Sequence, residues 1–343
     1  MATPADREGG RPGGISAEQA LIRKAFARLS ESVPGAAGLI DDAASLGIPP
    51  GMDLVVTKDL VVAGVHFLPD DPPQLVARKA LRVNLSDLAA KGARPGAYFL
   101  GLALPGDVGE DWVLRFAAGL EQDQREFGCG LGGGDMTRTG GALTVSITAT
   151  GLVPAGRIVR RHTARPGDIL FVTGTIGDAV LGLELQRKPA PAWLDALSDE
   201  QGEFLIDRYR LPRPRTGIAD ILCALANAAM DVSDGLAGDL ALMCAGSGVG
   251  ATVRADDIPL SAAARAVCAT DPGIRARLLG GGDDYEILVA VPPERAGEFA
   301  RRVEAAGIAA TAIGEFGHDA GPPVFVDRTG RVLAMPIQSY SHF

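Results

Sequence analysis

Where the apolar run ILCALANAAM ends, the chain continues as MDVSDGLAGDL (residues 230–240), setting Asp231 and Asp234 three apart beside Ser233 and a glycine. A carboxylate placed against an apolar run has to be capped, solvated or neutralised, so this pattern restricts the folds that can hold it. Capping accounts for part of it, with Ser233 or Asp234 as the N-cap of a helix from about Leu236 to Cys244. That uses one acid and leaves the other. The habit recurs: Asp41, Asp42, Asp59, Asp87, Asp135, Asp283 and Asp284 also lie at the ends of apolar strands or beside glycines. Singly, each reads as a turn residue. Gathered in one cleft they would repel each other unless cations were present, and short carboxylates suit Mg²⁺, which is held by a few of them with waters and substrate phosphates.

Other segments fit phosphate. GCGLGGGD (128–135) offers backbone N–H groups with no side chains in the way, and GGGDDYE (280–286) is a second glycine–acid loop entering a strand. The basic run Arg157, Arg160, Arg161, His162 reads either as a solvated face or as a phosphate contact. Gly128, Gly130 and Gly133 match the spacing of the dinucleotide fingerprint, but a helix precedes them and a strand follows, the reverse of what that motif needs. The sequence has no GxxxxGK[ST], no HRD or DFG, and no G-x-S-x-G elbow to partner His66 at its strand end. No covalent nucleophile is expected.

Alternating segments predict a mixed α/β fold. A helix starts at Ser16. Strands are expected at 53–57, 60–67, 97–105, 142–151, 168–174 and 285–292. Helices are expected at about 74–92, over DWVLRFAAGLEQDQREFG, and at 177–187, 198–209, 215–227, 235–246 and 293–306. A chain of 343 residues accommodates two domains. The turn-rich GLVPAGR divides them, giving a loose, disordered tail over 1–14, an N-terminal domain over 15–152 and a C-terminal domain over 153–343. The net charge of −9 disfavours a broad nucleic-acid surface. Cys129, Cys223, Cys244 and Cys268 show no metal spacing and read as small buried residues, as in a reducing cytosol. The N-terminal segment lacks the apolar core of a secretory signal, and no run is long enough to span a membrane, so a soluble cytoplasmic protein is expected.

Taken in order, DDAA (41–44), TKDLVVAGVHF (57–67), KALRVNLSDLAAKGARP (79–95), GGDMTR (133–138), RPGDILFVTGTIGDAVLGL (165–183), MDVSDGLAGDL, GGGDDYEIL (280–288) and SYSHF (339–343) resemble the thiamine-monophosphate kinases of the aminoimidazole-ribonucleotide-synthetase-like superfamily. The resemblance implies an N-terminal domain whose sheet forms a homodimer, a C-terminal α/β domain over the site, and ATP-dependent phosphorylation of thiamine monophosphate to thiamine diphosphate. It implies Mg²⁺ ligation by Asp42, Thr57, Asp59, Asp87, Asp135, Asp231 and Asp234. It further implies ATP contacts at Gly134, Asp135, Arg161 and Ser233, and substrate contacts at His66, Asp283 and Tyr340. The chain departs from the family pattern at Ile40, where a glycine is usual, at Lys58, where a hydroxyl is usual, and at Asp283, where a glutamate is usual. The rival readings are another ATP-dependent enzyme of the superfamily, such as an aminoimidazole ribonucleotide or selenophosphate synthetase, and a non-catalytic protein that binds nucleotide or thiamine phosphates.

Overall fold

A computed structural model of the chain describes residues 16–271 and 273–334. The expected tail and Tyr340, with its SYSHF segment, lie outside the described residues. Strands β1 (Met52–Val62), β2 (Arg94–Leu104), β3 (Gly130–Arg138) and β4 (Thr144–Pro154) form one sheet, in the order β1-β4-β2-β3. Strands β5 (Ile169–Thr173), β6 (Ala228–Asp231), β7 (Gly250–Arg254), β8 (Ile287–Val291), β9 (Ala310–Gly317) and β10 (Val324–Val326) form a second, in the order β10-β7-β9-β5-β8-β6. Helices α1 (Ala17–Phe26), α2 (Pro73–Ala90) and α3 (Glu110–Phe127) accompany the first sheet. Helices α4 (Asp178–Leu185), α5 (Asp199–Arg210), α6 (Ala219–Leu225), α7 (Leu236–Ser247), α8 (Ala262–Thr270), α9 (Ile274–Gly280) and α10 (Pro293–Ala305) accompany the second. The architecture is mixed α/β, as the alternating pattern predicts.

Three local readings need correction. The two strands expected between residues 53 and 67 are one strand, β1, whose eleven residues all pair with β4. Residues 64–66 form a turn, so His66 follows the strand rather than ending it. The glycine run is itself strand β3, parallel to β2 with a bulge opposite Tyr98 and Phe99. Helix α7 is capped by Gly235 at φ 116°, with no side-chain cap, so neither Ser233 nor Asp234 is its N-cap. By contrast, Ser16 caps α1 in a full capping box with Gln19.

Helix α2 lies between the two halves. Along its length Val76, Ala77, Leu81, Leu85 and Leu88 pack with Tyr98, Leu100 and Leu102 of β2 in the N-terminal core. At its C-terminal end Ala89 and Ala90 join Ile218 and Leu222 in a core that continues into the second sheet. Polar links follow the same helix. Arg82 donates to Pro212 O at 3.0 Å, Ser86 Oγ to Asp231 Oδ2 at 2.7 Å, and the Lys91 ammonium just beyond the helix to Ala229 O at 2.7 Å. A helix buried by both domains can bring its polar residues to their boundary.

One of these links is anchored by a saturated buried charge. Asp123 on α3 has no solvent exposure and accepts from Arg78 Nε at 2.7 Å and from Arg82 Nε and Nη2 at 2.8 Å. Removing one member of such a pair strands the other in a low dielectric. Asp123→Ala should therefore lower unfolding stability by about 3–5 kcal/mol. Asp220→Ala, breaking the exposed pair with Arg94, should cost less than about 1 kcal/mol. Urea denaturation of both variants checks this, and a loss below about 1 kcal/mol at Asp123 would contradict it.

Candidate active site

The acidic positions separate into two places. Strand β1 alternates: Leu54, Val56, Lys58 and Leu60 are exposed, while Val55 and Val61 are buried. Thr57 and Asp59 share the inward parity and face α2. There Thr57 Oγ1 donates a short hydrogen bond to Asp87 near the C-terminal end of α2. One residue earlier, Ser86 holds Asp231 across the domain boundary. Asp234 follows in the same loop, and its N–H donates to Asp239 Oδ2 at 3.0 Å. Thus Thr57, Asp59, Asp87, Asp231 and Asp234 come from three separate elements to one boundary.

Two glycines permit this approach. The loop carrying Asp231 and Asp234 crosses the loop that leads to Asp283 with the backbones in contact. A Cβ on Gly235 would meet Gly280 C and O at 2.7 Å, and one on Gly282 would meet Ser233 O at 2.2 Å. The crossing is pinned by Asp283 N–H donating to Ser233 O, and Tyr285 N–H to Val232 O, each at 2.8 Å. It fixes Ser233, half-buried, beside Asp283.

The electrostatics are those of crowded, desolvated acids. Burial, then Asp87 and Asp234, push the Asp59 carboxyl up to about 6. Burial raises Asp87 too, against the Thr57 hydroxyl, Lys91 and Arg161, which hold it down. Asp231 is pushed well above the ordinary carboxylate range by burial and by Asp87. Asp239 behind them rises to about 7, chiefly through burial. Lys91 is pulled down to about 8 by burial, although Asp231 and Asp87 act to raise it. The charge balance is short of cations. As placed, no three acid, histidine or cysteine side chains among the described residues close around one point.

Asp42 and Asp135 stand elsewhere. With Asp41, Phe99, Gly133 and Gly134 they line a cavity of about 440 Å³ beside the edge strand β3. Register fixes the relation to the boundary cluster. Asp59, Ile147, Leu100 and Gly134 form one cross-sheet row, and Leu60, Ser146, Gly101 and Asp135 form the next. Ile147 and Leu100 are buried in the core, so Asp59 points to the core face and Asp135 to the opposite one.

The remaining sites are distributed around the boundary. Exposed Arg161 lies close enough to Asp87 and Lys91 to act on both electrostatically. His66 accepts from the Val62 N–H through Nδ1 at 3.1 Å, and its carbonyl accepts from the Tyr209 hydroxyl at 3.4 Å. Asp283 has a left-handed backbone, φ 71°, and an ion pair with Lys79 at 3.4 Å. Sequence reasoning passed over Ser86, Lys91 and Asp239; the signal for the first was its place immediately before Asp87. It grouped Asp284 with the acids suited to cations, and that residue is instead architectural: its carboxylate accepts from Gly177 N–H at 2.7 Å and Ala179 N–H at 3.4 Å, capping α4. The four cysteines are free, and burial pushes Cys129 up to about 12 and Cys244 to about 11, unfavourable settings for a thiolate.

Comparison with known proteins covers both halves. Residues 40–153 match the family described as AIR synthase related protein, N-terminal domain, and residues 165–327 its C-terminal domain. The chain is 45% identical over 300 residues to the thiamine-monophosphate kinase of Caulobacter vibrioides, covering 86% of this chain and 82% of that one. It superposes on the crystal structure of thiamine-monophosphate kinase from Stenotrophomonas maltophilia K279a with a TM-score of 0.81 and 38% identity, over 90% of this chain and 96% of the other. On AaThiL complexed with AMPPCP and TMP the TM-score is 0.73, with 30% identity over 94% and 95% of the two chains.

The raised carboxyl groups set a pH dependence for protein freed of divalent ions by chelator. A carboxyl whose folded pKa is raised retains its proton after the unfolded chain has lost it, so stability falls as pH rises between the two values. For Asp59 and Asp239 the windows run from 3.8 to about 6 and about 7. Thermal unfolding midpoints should therefore drop between pH 5 and pH 7.5. Asp59→Asn should flatten that drop and be more stable than the parent at pH 7.5 by on the order of 2 kcal/mol. An unchanged slope in Asp59→Asn would contradict the assignment.

Proposed function

We infer the reaction from family membership: the chain belongs to the thiamine-monophosphate kinase family of AIR synthase related proteins, and it transfers a phosphoryl group from ATP to thiamine monophosphate, giving thiamine diphosphate. The observation that carries this reading in the chain itself is the meeting of Thr57, Asp59, Asp87, Asp231 and Asp234 at the domain boundary, with the Asp59, Asp87 and Asp231 carboxyl groups raised chiefly by burial. Both reactants are anions, so repulsion is the main obstacle, and the acceptor phosphate oxygen needs no strong base.

The donor set fits Mg²⁺. Short carboxylates and a threonine hydroxyl are hard oxygen ligands, and burial raises the Asp59, Asp87 and Asp231 carboxyl groups in a way that a cation would offset. Asp42, Thr57, Asp59, Asp87, Asp135, Asp231 and Asp234 are the ligands we propose. When bound, Mg²⁺ would neutralise the phosphates and align them for transfer. The exposed guanidinium of Arg161, the Ser233 hydroxyl and the Gly134–Asp135 edge face the ATP. His66 and Asp283, with Tyr340 outside the described residues, receive thiamine monophosphate. Transfer is direct and in line, with no phosphoenzyme.

The proposed ligands require two copies. Asp59 and Asp135 emerge on opposite faces of one sheet, three strand spacings or about 14 Å apart, so a single chain does not bring them together. The outer face of edge strand β1 exposes Leu54, Val56 and Leu60, an apolar surface suited to a second copy. We therefore propose a homodimer in which Asp42, Gly134 and Asp135 of one chain complete the boundary cluster of the other. The proposed division of the chain at residues 152 and 153 assigns the dimer sheet, but for the last two residues of β4, to the N-terminal domain. No helix among the described residues is long and apolar enough to cross a membrane. With the free cysteines and the use of ATP, this supports a cytoplasmic location.

Purified protein with ATP, Mg²⁺ and thiamine monophosphate should yield thiamine diphosphate by chromatography, and chelator should abolish it. Bound ATP without turnover in folded protein would instead support the non-catalytic reading. Asp87→Asn should cut kcat by about 100-fold or more, the scale of losing an electrostatic group in the transition state, with a normal circular dichroism spectrum. Equal mixing of inactive Asp59→Asn and Asp135→Asn chains, after subunit exchange, should restore about one quarter of parent activity, because half the dimers carry one intact shared site. No recovery despite proven exchange would contradict the shared site.

A further inference from the structure

Helix α2 buries two cations, and only one is satisfied. Arg82 spends its donors on Asp123, Glu126 and Pro212 O. Lys79, one turn earlier and 2% exposed, has an ammonium with no hydrogen-bond partner. Its ion pair with Asp283 Oδ1 spans 3.4 Å, and the Tyr209 ring of α5 lies 3.7 Å from the nitrogen. A buried ammonium whose one acceptor is a carboxylate oxygen at 3.4 Å is costly relative to an apolar residue of the same length. A lysine serving only architecture would be expected to have the acceptors that Arg82 has.

Its surroundings are those of the substrate end of the site. The Tyr209 hydroxyl reaches the His66 carbonyl, and Asp283 sits in the strained loop between Gly282 and Tyr285, where Asp283 and Tyr285 both adopt left-handed backbone. Burial lowers the Lys79 pKa, while Asp283 and then Asp71 raise it. We propose that Lys79 is a further substrate-positioning residue: it holds the Asp283 carboxylate from across the domain boundary and completes its own hydrogen bonding with acceptor atoms of bound thiamine monophosphate. This rests on the reaction inferred above. It adds a residue of the N-terminal domain to a contact otherwise supplied by His66 and the C-terminal loop.

The test is a double-mutant cycle on the full chain with Lys79→Met and Asp283→Asn, reading the two KM values, kcat and thermal midpoint. Lys79→Met should raise KM for thiamine monophosphate about tenfold, the size of one lost charge-assisted contact. KM for ATP and kcat should stay within about threefold. Because the methionine removes an unsatisfied buried cation and keeps the stem, its midpoint should equal or exceed that of the parent. The double variant should bind thiamine monophosphate less weakly than the product of the two single effects predicts, because part of the Lys79 effect runs through Asp283. Multiplicative effects, equal rises in both KM values, or a lowered midpoint in Lys79→Met would overturn the proposal while leaving the kinase reading intact. A parent protein that neither binds nor turns over thiamine monophosphate would overturn both.

Discussion

The contact between Ser86 and Asp231 is where the two halves of the molecule become one site. It joins the last turns of α2 to the end of β6 through a carboxylate only 8% exposed. Everything nearby is built around keeping that acid in place although its surroundings disfavour its charge. Asp87 next to Ser86 is tied to Thr57 on β1, and Asp59 lies two residues further along the same strand face. The arrangement is costly for an isolated chain, since burial raises Asp59, Asp87 and Asp231 and neighbouring acids add to the rise at Asp59 and Asp231, a cost that the proposed cations would relieve.

Buried charge in this protein falls into two kinds, and the difference assigns roles. Asp123 is enclosed by two arginines; Glu286, with no solvent exposure, accepts from Thr173 at 2.7 Å, Arg208 at 3.0 Å and Arg215. Each of these carboxylates has its full set of donors. Asp87 and Asp231 at the boundary have fewer. Their donors are a hydroxyl apiece for Asp87 and Asp231, with Lys91 spending a hydrogen bond on Ala229 O. Saturated charges fix geometry, and unsaturated ones are left for ligands.

How much of this was readable from the residues depended on whether the signal was local. The alternation VVTKDLVV carries the inward and outward faces of β1, but Lys58 and Asp59 interrupt the apolar pattern and make one strand look like two. The glycines of β3 have no side chains from which to read a period of two, so the strand looked like a loop. Ser233 and Asp234 have the chemistry of an N-cap; the backbone crossing at Gly235 and Gly282 takes that position from them, and nothing near residue 235 in the chain announces a contact with residue 280. Asp135 and Asp234 have a local signal beside glycines and Asp231 one at a strand end, whereas Asp59 lies inside β1 and Asp87 inside α2, where the local signal is only an acid in an apolar run. Lys79 was not legible, since in QLVARKALRV it reads as the polar face of an amphipathic helix, and only packing by α5 of the other domain buries it.

The loop from Gly280 to Glu286 shows how the saturated charges support the unsaturated ones. Non-glycine residues in left-handed backbone cost on the order of 1 kcal/mol each, and this loop has two, Asp283 at φ 71° and Tyr285 at φ 51°. They alternate with residues whose side chains are fully engaged: Asp284 capping α4, and Glu286 held by Arg208 and Arg215. Arg208 also donates to the Asp284 carbonyl at 3.1 Å, closing the segment on itself. The strain is therefore overdetermined from both sides and fixes the direction in which Asp283 leaves the backbone. A shorter acid at that position has less reach to correct an error in that direction, which places the demand for accuracy on the loop and on the cation opposite it.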